Sequence, residues 1–235
     1  MRLDKKKMIA AIIVACTTLF IAIGIHEKKD TRKQLKFGAT YMTMNNPYFV
    51  NMDENIEESV QAKGDILITR DPLQDQKKQN EQIKDMINEG IDVLFLQPVD
   101  RNKVRPALEL CKKKHIPVVV IDSEVSDTEA VVSTIVSDNY DAGVQCAKDM
   151  MKKKTSANII IVNQKALNSI NERVKGFRDT IKGHPQYKIV EEKESAAEFE
   201  IAMKVMEYNI YEKKNLEVVM CGIDPIALGC IAAVK

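Results

Sequence analysis

The sequence predicts an α/β protein of two lobes, each with a parallel sheet, and three observations predict it. Short aliphatic or β-branched runs alternate with amphipathic helical stretches from Lys36 onward. Most of those runs end in polar residues, as parallel strands do when their carboxyl ends face a binding crevice. One connection, from Asp122 to Val131, lacks a helix and splits the region after Lys36 into two nearly equal halves.

In chain order, the first strand-like run is Phe37 to Met42, followed by the polar turn through Asn46. Asp65 to Thr69 and Val93 to Gln97 follow, with a helical stretch between them whose apolar stripe is Ile83, Met86 and Ile87 beside the charges of Lys84, Asp85 and Glu89. Pro117 to Asp122 and Val131 to Val136 complete the first lobe, so its range is 36–136. Ser137, Asp138 and Asn139 then open a helix striped by Val144, Ala147, Met150 and Met151, beginning a second lobe over 137–235. Its strands are Asn158 to Asn163, Tyr187 to Glu191 and Val218 to Cys221, the last running into Gly222 through Asp224. The methionines of these stripes are expected in the core.

Composition narrows the function classes. The chain has 235 residues, 45% hydrophobic and 29% charged, which suits a folded protein rather than a disordered one. With 35 basic against 34 acidic side chains and no long basic block, there is no electrostatic footprint for nucleic acid. Aromatic residues make up only 5%, a poor match to an all-β sandwich. No glycine-rich phosphate loop or nucleophile-elbow motif occurs, and His26, His115 and His184 do not follow strands beside a nucleophile. Catalysis has no visible carrier, and no cofactor or metal is implied.

The segment 1–35 reads as a membrane anchor or signal with its linker. Lys5, Lys6 and Lys7 precede an uncharged run from Met8 to Ile25, at ~1.5 Å per residue just long enough to span a bilayer. A permanent anchor and a cleaved signal both fit, and Ile13, Val14, Ala15 and Cys16 resemble a lipidation box. The other cysteines, Cys111, Cys146, Cys221 and Cys230, lack the spacing of a metal or redox motif and are expected as buried small apolar residues.

Asn45, Asn46, Pro47, Tyr48 and Phe49, placed right after the first strand, resemble the opening signature of the type I periplasmic binding proteins of the ribose and galactose group. Leu94 to Asp100, Ile116 to Asp122, Ser137 to Asn139, Ile170 to Phe177 and Gly222 to Gly229 resemble later landmarks of that family, in register. The resemblance implies two Rossmann-like lobes and an extracytoplasmic protein that captures a monosaccharide or similar polyol between them. Its partner would be the membrane permease of an ABC transporter or, in a sensory variant, a histidine kinase. A repressor's effector domain shares the fold, but the apolar run at Met8 to Ile25 leaves no room for a helix-turn-helix before the first lobe.

A sugar presents apolar C–H faces and a rim of hydroxyls, which call for rings and for carboxylate or amide groups respectively. Tyr48 and Phe49 supply rings, Asn46 and Gln97 supply amides, and Asp122 supplies a carboxylate able to accept from two hydroxyls. Each also has a structural alternative: packing at a strand–helix junction for the rings, a turn for Asn46, a cap or turn for Asp122. Ser123 and Asn171, also expected to contact the ligand, occupy positions where the family often has Arg, Ala197 lies where a stacking ring is usual with Phe199 two residues on, and Ile223 replaces an Asn. These departures leave the second lobe's wall less polar and less aromatic. The resemblance further implies that the second lobe is incomplete, since the family's chain passes through another strand and recrosses, whereas this one stops at Lys235.

Overall fold

The computed structural model describes residues 32–129, 131–212 and 215–234. The anchor, signal and Cys16 readings lie outside these residues, and among the described ones no helix is long and apolar enough to cross a membrane. The chain divides into a unit Met1–Gln34 and a unit Leu35–Lys235, and every described strand and helix lies in the second.

The elements are β1 (Lys36–Thr40), α1 (Pro47–Gln61), β2 (Ile66–Arg70), α2 (Gln76–Asn88), β3 (Val93–Leu96), α3 (Arg105–Lys113), β4 (Val118–Ile121) and β5 (Val131–Ile135). They continue as α4 (Asn139–Lys153), β6 (Ala157–Asn163), α5 (Asn168–Ile181), β7 (Tyr187–Glu194), α6 (Phe199–Glu212), β8 (Val218–Cys221) and α7 (Asp224–Ala233). Two parallel sheets result, ordered β2-β1-β3-β4-β5 and β7-β6-β8. In the first, Phe37 pairs with Leu67 on one side and with Val93 on the other. All of the strand runs read from the sequence are present; β7 extends past Glu191 to Glu194.

Each sheet is covered on both faces, which explains why its inner strands are aliphatic throughout rather than alternating with charge. Leu94, Leu96, Val118 and Val120 pack with Ile83 and Met86 of α2 and Leu108 of α3. In β6, Ile159 and Ile161 face α4 and α5 through Ala147, Met150, Ile170 and Phe177, whereas Ile160 and Val162 face α6 and α7 through Ala202, Met206 and Ile226. That alternation is the period-two geometry of a strand. The expected core methionines are in place: Met86 and Met150 are buried and Met151 is packed against the core.

Among the cysteines the expectation of burial holds for Cys111 and Cys230, but Cys221 is half-buried and Cys146 is exposed on α4. Burial pushes the Cys111 thiol up to about 12, as befits an inert core residue.

Two glycines set the position of α5. A Cβ at Gly143 of α4 would overlap the Arg173 carbonyl oxygen, and one at Gly176 of α5 would overlap the Tyr140 carbonyl oxygen. The helices touch backbone to backbone there, and this close approach brings the first turns of α5 against the start of α4. Contacts between the halves of the chain are direct: Arg101 N–H donates to the Ala166 carbonyl at 3.1 Å, the Arg101 guanidinium to Asn168, and Asn168 Nδ2 to Glu124 at 2.5 Å.

Candidate functional site

The carboxyl ends of β1 and β4 build one wall. After β1 the chain turns at Asn46, whose side-chain oxygen accepts from the Tyr48 N–H at 3.0 Å and caps α1, with Pro47 in the first turn where its missing N–H costs nothing. The cap fixes two rings in different settings. Phe49 is buried against Tyr41, ring centroids 5.9 Å apart, while Tyr48 is 50% exposed and meets Phe49 edge-on at 5.3 Å.

Asp122 ends β4 in an unusual backbone. Its φ is +64°, and the Ser123 N–H donates to the Ile121 carbonyl at 2.7 Å across it, a γ-turn of the rare positive-φ kind. Its own N–H donates to the Ile135 carbonyl at 2.9 Å, so the neighbouring strand holds the turn. An L residue in this region carries strain, and such strain concentrates where a side chain must be aimed.

Behind this wall lies a buried amide network. Gln97 Oε1 accepts from the Met42 N–H at 2.6 Å, and Gln79 bridges the Gln97 carbonyl at 2.9 Å and the Val99 N–H at 3.0 Å. It ties the ends of β1 and β3 to α2. Gln97 Nε2 has no hydrogen bond of ordinary geometry, yet it lies near enough to Asp122 to favour its charge.

The opposite wall comes from α5 and from the β8–α7 turn. Arg173 Nε donates to Asn139 Oδ1 at 2.9 Å and Nη1 to the Gly222 carbonyl at 2.9 Å, pinning the start of α4 and the end of β8. The cavity between the walls, about 160 Å³, is lined by Met42, Asn46, Tyr48, Phe49, Asp122, Ser137, Leu167, Ser169, Arg173, Ile223, Asp224 and Pro225. Ligand pockets for drug-sized molecules run about 300–1,000 Å³, so this one suits a smaller guest.

Loss of solvent raises the Asp122 carboxyl above its ordinary range, opposed by the Arg173 charge, the Tyr48 hydroxyl and the Gln97 amide. The Tyr48 hydroxyl is raised as well, by burial and then by Asp122, with Arg173 acting against both. A carboxylate, a guanidinium and a phenol thus face one small cavity with an apolar floor. That set can exchange hydrogen bonds with a neutral hydroxylated molecule in both directions.

Of the residues expected from sequence, Asn46, Tyr48, Phe49 and Asp122 come together in the cavity wall. Gln97 stands behind them, and its oxygen is committed to backbone. Ser123 is fully buried, its hydroxyl accepting from the Ser169 N–H at 3.3 Å, so it joins the two walls. Asn171 does not line the cavity; its amide donates to the Lys165 carbonyl at 3.0 Å because it sits on another face of α5. Arg173, Ser169 and Ser137 were not expected as contacts, and Asp224 only as part of the strand end Gly222 to Asp224. Ser169 and Arg173 are four apart on one helix face, a spacing that marks them once the phase of α5 is known. A larger hollow of about 490 Å³ beside α3 is lined by charges already paired with one another, such as Arg105 with Glu109 and with Asp127. It offers little unpaired chemistry.

Parallel sheets with a ligand-sized cavity at their strand ends define a solute-binding protein of the two-lobed kind. Residues 37–235 match the periplasmic binding protein domain, and the chain belongs to that family. It is 24% identical over 239 aligned positions to the ribose import binding protein of Bacillus subtilis, covering 98% of this chain and 77% of that one. To the D-apiose import binding protein of Paraburkholderia graminis it is 26% identical, covering 96% and 71%. A solved ABC transporter solute-binding protein from Mycobacterium smegmatis with bound glycerol superposes with a TM-score of 0.80 at 27% identity, over 86% of this chain and 70% of that one. These relatives are binding proteins, and this chain is a binding protein rather than an enzyme.

Proposed function

We propose that this protein captures a small neutral polyhydroxylated ligand, of monosaccharide size or below, outside the cytoplasm and hands it to the membrane permease of an ABC transporter. The supporting observation is one cavity holding the Tyr48 and Phe49 rings beside the Asp122 carboxylate and the Arg173 guanidinium. Rings cover the C–H face of a polyol; the charged pair takes its hydroxyls in charge-assisted bonds. The relatives named for ribose and D-apiose import, and a solved solute-binding protein with glycerol bound, are in keeping with this size and polarity. Domains over 36–136 and 137–235 act as the two jaws, and the run Met8 to Ile25 tethers them to the membrane.

Closure on the ligand supplies the signal, because a ligand that touches both walls favours the closed state over the open one. The test is a thermal-shift screen of aldopentoses, small polyols and inositols, with sugar phosphates as the charged control. A ligand at ~100 times its dissociation constant stabilises the fold by about 2.7 kcal/mol. A neutral polyol that raises the melting temperature supports the proposal. A response confined to the phosphates, or none at millimolar concentrations, overturns it.

A further inference from the structure

We propose that Gln74 and Glu198 form a latch that holds the two halves of the chain shut over the cavity; its role in retaining a ligand rests on the function proposed above. Gln74 Nε2 donates to Glu198 Oε1 at 2.8 Å, joining residues 124 positions apart, one from each half. The loop after β2 is shaped to present this amide. Leu73 and Gln74 both have positive φ, +54° and +62°, although neither is a residue type that favours that region. Two such residues in succession persist only where their surroundings hold them, and here the hold is visible. The Leu73 N–H donates to Asp71 Oδ1 at 2.8 Å, the Asp75 N–H to the Pro72 carbonyl at 3.1 Å, and the Gln74 N–H to the Met42 carbonyl at 2.7 Å. Met42 lines the cavity, so the latch loop is bonded directly to the first wall.

Glu198 is tied to the second wall. Its carbonyl accepts from the Ala202 N–H at 3.1 Å as α6 begins, and the carbonyl oxygen of the next residue, Phe199, lies only 2.3 Å from where a Cβ at Gly229 of α7 would stand. The first turn of α7 carries Asp224 and Pro225 of the cavity lining. The latch also sits where leverage is greatest. The chain crosses between the halves after β5, at one edge of the first sheet, whereas Gln74 follows β2 at the other edge and Glu198 follows β7, an edge strand of the second sheet. Four strand spacings of ~4.8 Å put Gln74 about 19 Å from the crossing. Opening the halves by ~10° about the crossing would part the pair by roughly 3 Å, enough to break the bond. Closure therefore makes this bond last and opening breaks it first.

Hydrogen exchange on the full chain without ligand tests the latch. The reporter is the Arg101 amide, whose bond to the Ala166 carbonyl spans the halves, and the control is the buried stretch Ile160 to Val162 of β6, which opens only on unfolding. Gln74→Glu keeps the side chain's length but sets two carboxylates face to face. Arg101 should then exchange at least about fivefold faster, with the β6 control unchanged. Gln74→Glu combined with Glu198→Gln remakes the bond with donor and acceptor exchanged, and should return the rate to within about twofold of the parent. An unchanged Arg101 rate in Gln74→Glu, an increase that the exchanged pair does not reverse, or an equal increase in β6 overturns the latch. Each protein is also melted with and without ribose. Stabilisation by ribose beside an unmoved Arg101 rate refutes the latch and keeps the binding proposal, whereas accelerated, reversible exchange without a ribose response keeps the latch and counts against that proposal.

Discussion

Replacing Asp122 by asparagine separates binding from folding in a single change. The carboxyl is held above its ordinary range by loss of solvent, so its charge is a cost to the unliganded fold that Arg173 only partly offsets. Asparagine removes that charge, keeps the shape, and is among the residues that best tolerate a φ of +64°. The unliganded variant should be as stable as the parent or slightly more so. Binding should suffer, because a hydrogen bond to an ionised group is worth about 1.5–3 kcal/mol and roughly half of that depends on the charge. With two ligand hydroxyls on one carboxylate the loss is about 1.5–3 kcal/mol, or about 12- to 140-fold in affinity. Titration calorimetry with the best ligand of the screen measures it, alongside urea denaturation without ligand. Affinity within about threefold of the parent would remove Asp122 from the ligand's contacts, since that is under ~0.7 kcal/mol. A loss of more than about 2 kcal/mol in unliganded stability would instead make its charge structural.

The same carboxyl predicts a pH dependence. The folded state keeps the Asp122 proton to higher pH than the unfolded chain does, so its contribution is fully present below the unfolded value of about 3.9 and is lost as pH rises through the folded one. Stability of the parent minus that of Asp122→Asn should fall through this window and then level; a rising difference contradicts the assignment. Gly176→Ala drives a methyl into the Tyr140 carbonyl and should cost about 3 kcal/mol or more by urea denaturation; a loss under ~1 kcal/mol would show that α4 and α5 can part freely. Phe49→Ala should cost about 3–5 kcal/mol of stability, whereas Tyr48→Ala, half exposed, should cost under about 1 kcal/mol yet weaken binding at least tenfold. Arg173→Met loses the bonds to Asn139 and Gly222 and should lower stability by about 2 kcal/mol, with Arg173→Lys recovering only part because lysine cannot span both acceptors. Full recovery of parent stability in Arg173→Lys would argue that charge, not the fork, does the pinning.

The fold is legible in the sequence because its code is periodic. Val93 to Gln97 and Pro117 to Asp122 are aliphatic on successive positions, which only a strand buried on both faces requires, and β3 and β4 lie there. The stripe of Ile83 and Met86 likewise lands on one packed face of α2. The site is legible only as far as strand ends define it. Asp122 and the Asn46 to Phe49 turn follow from that rule, but which neighbour shares the cavity depends on local geometry that no run of residue types records.

Two comparisons make the limit physical. Ser123 is adjacent to Asp122 in sequence, yet the positive-φ turn sends Asp122 to the cavity and Ser123 to the junction between walls. Asn171 and Arg173 are two apart on α5, about 200° around a helix of 3.6 residues per turn, so both cannot face one cavity. Which of them does is fixed by the Gly143–Gly176 contact that sets the rotation of α5 against α4. A motif aligned by residue position selects Asn171; the helix phase selects Ser169 and Arg173. Sequence thus determines where this protein can bind, and the packing of α5 and α7 determines what chemistry meets the ligand.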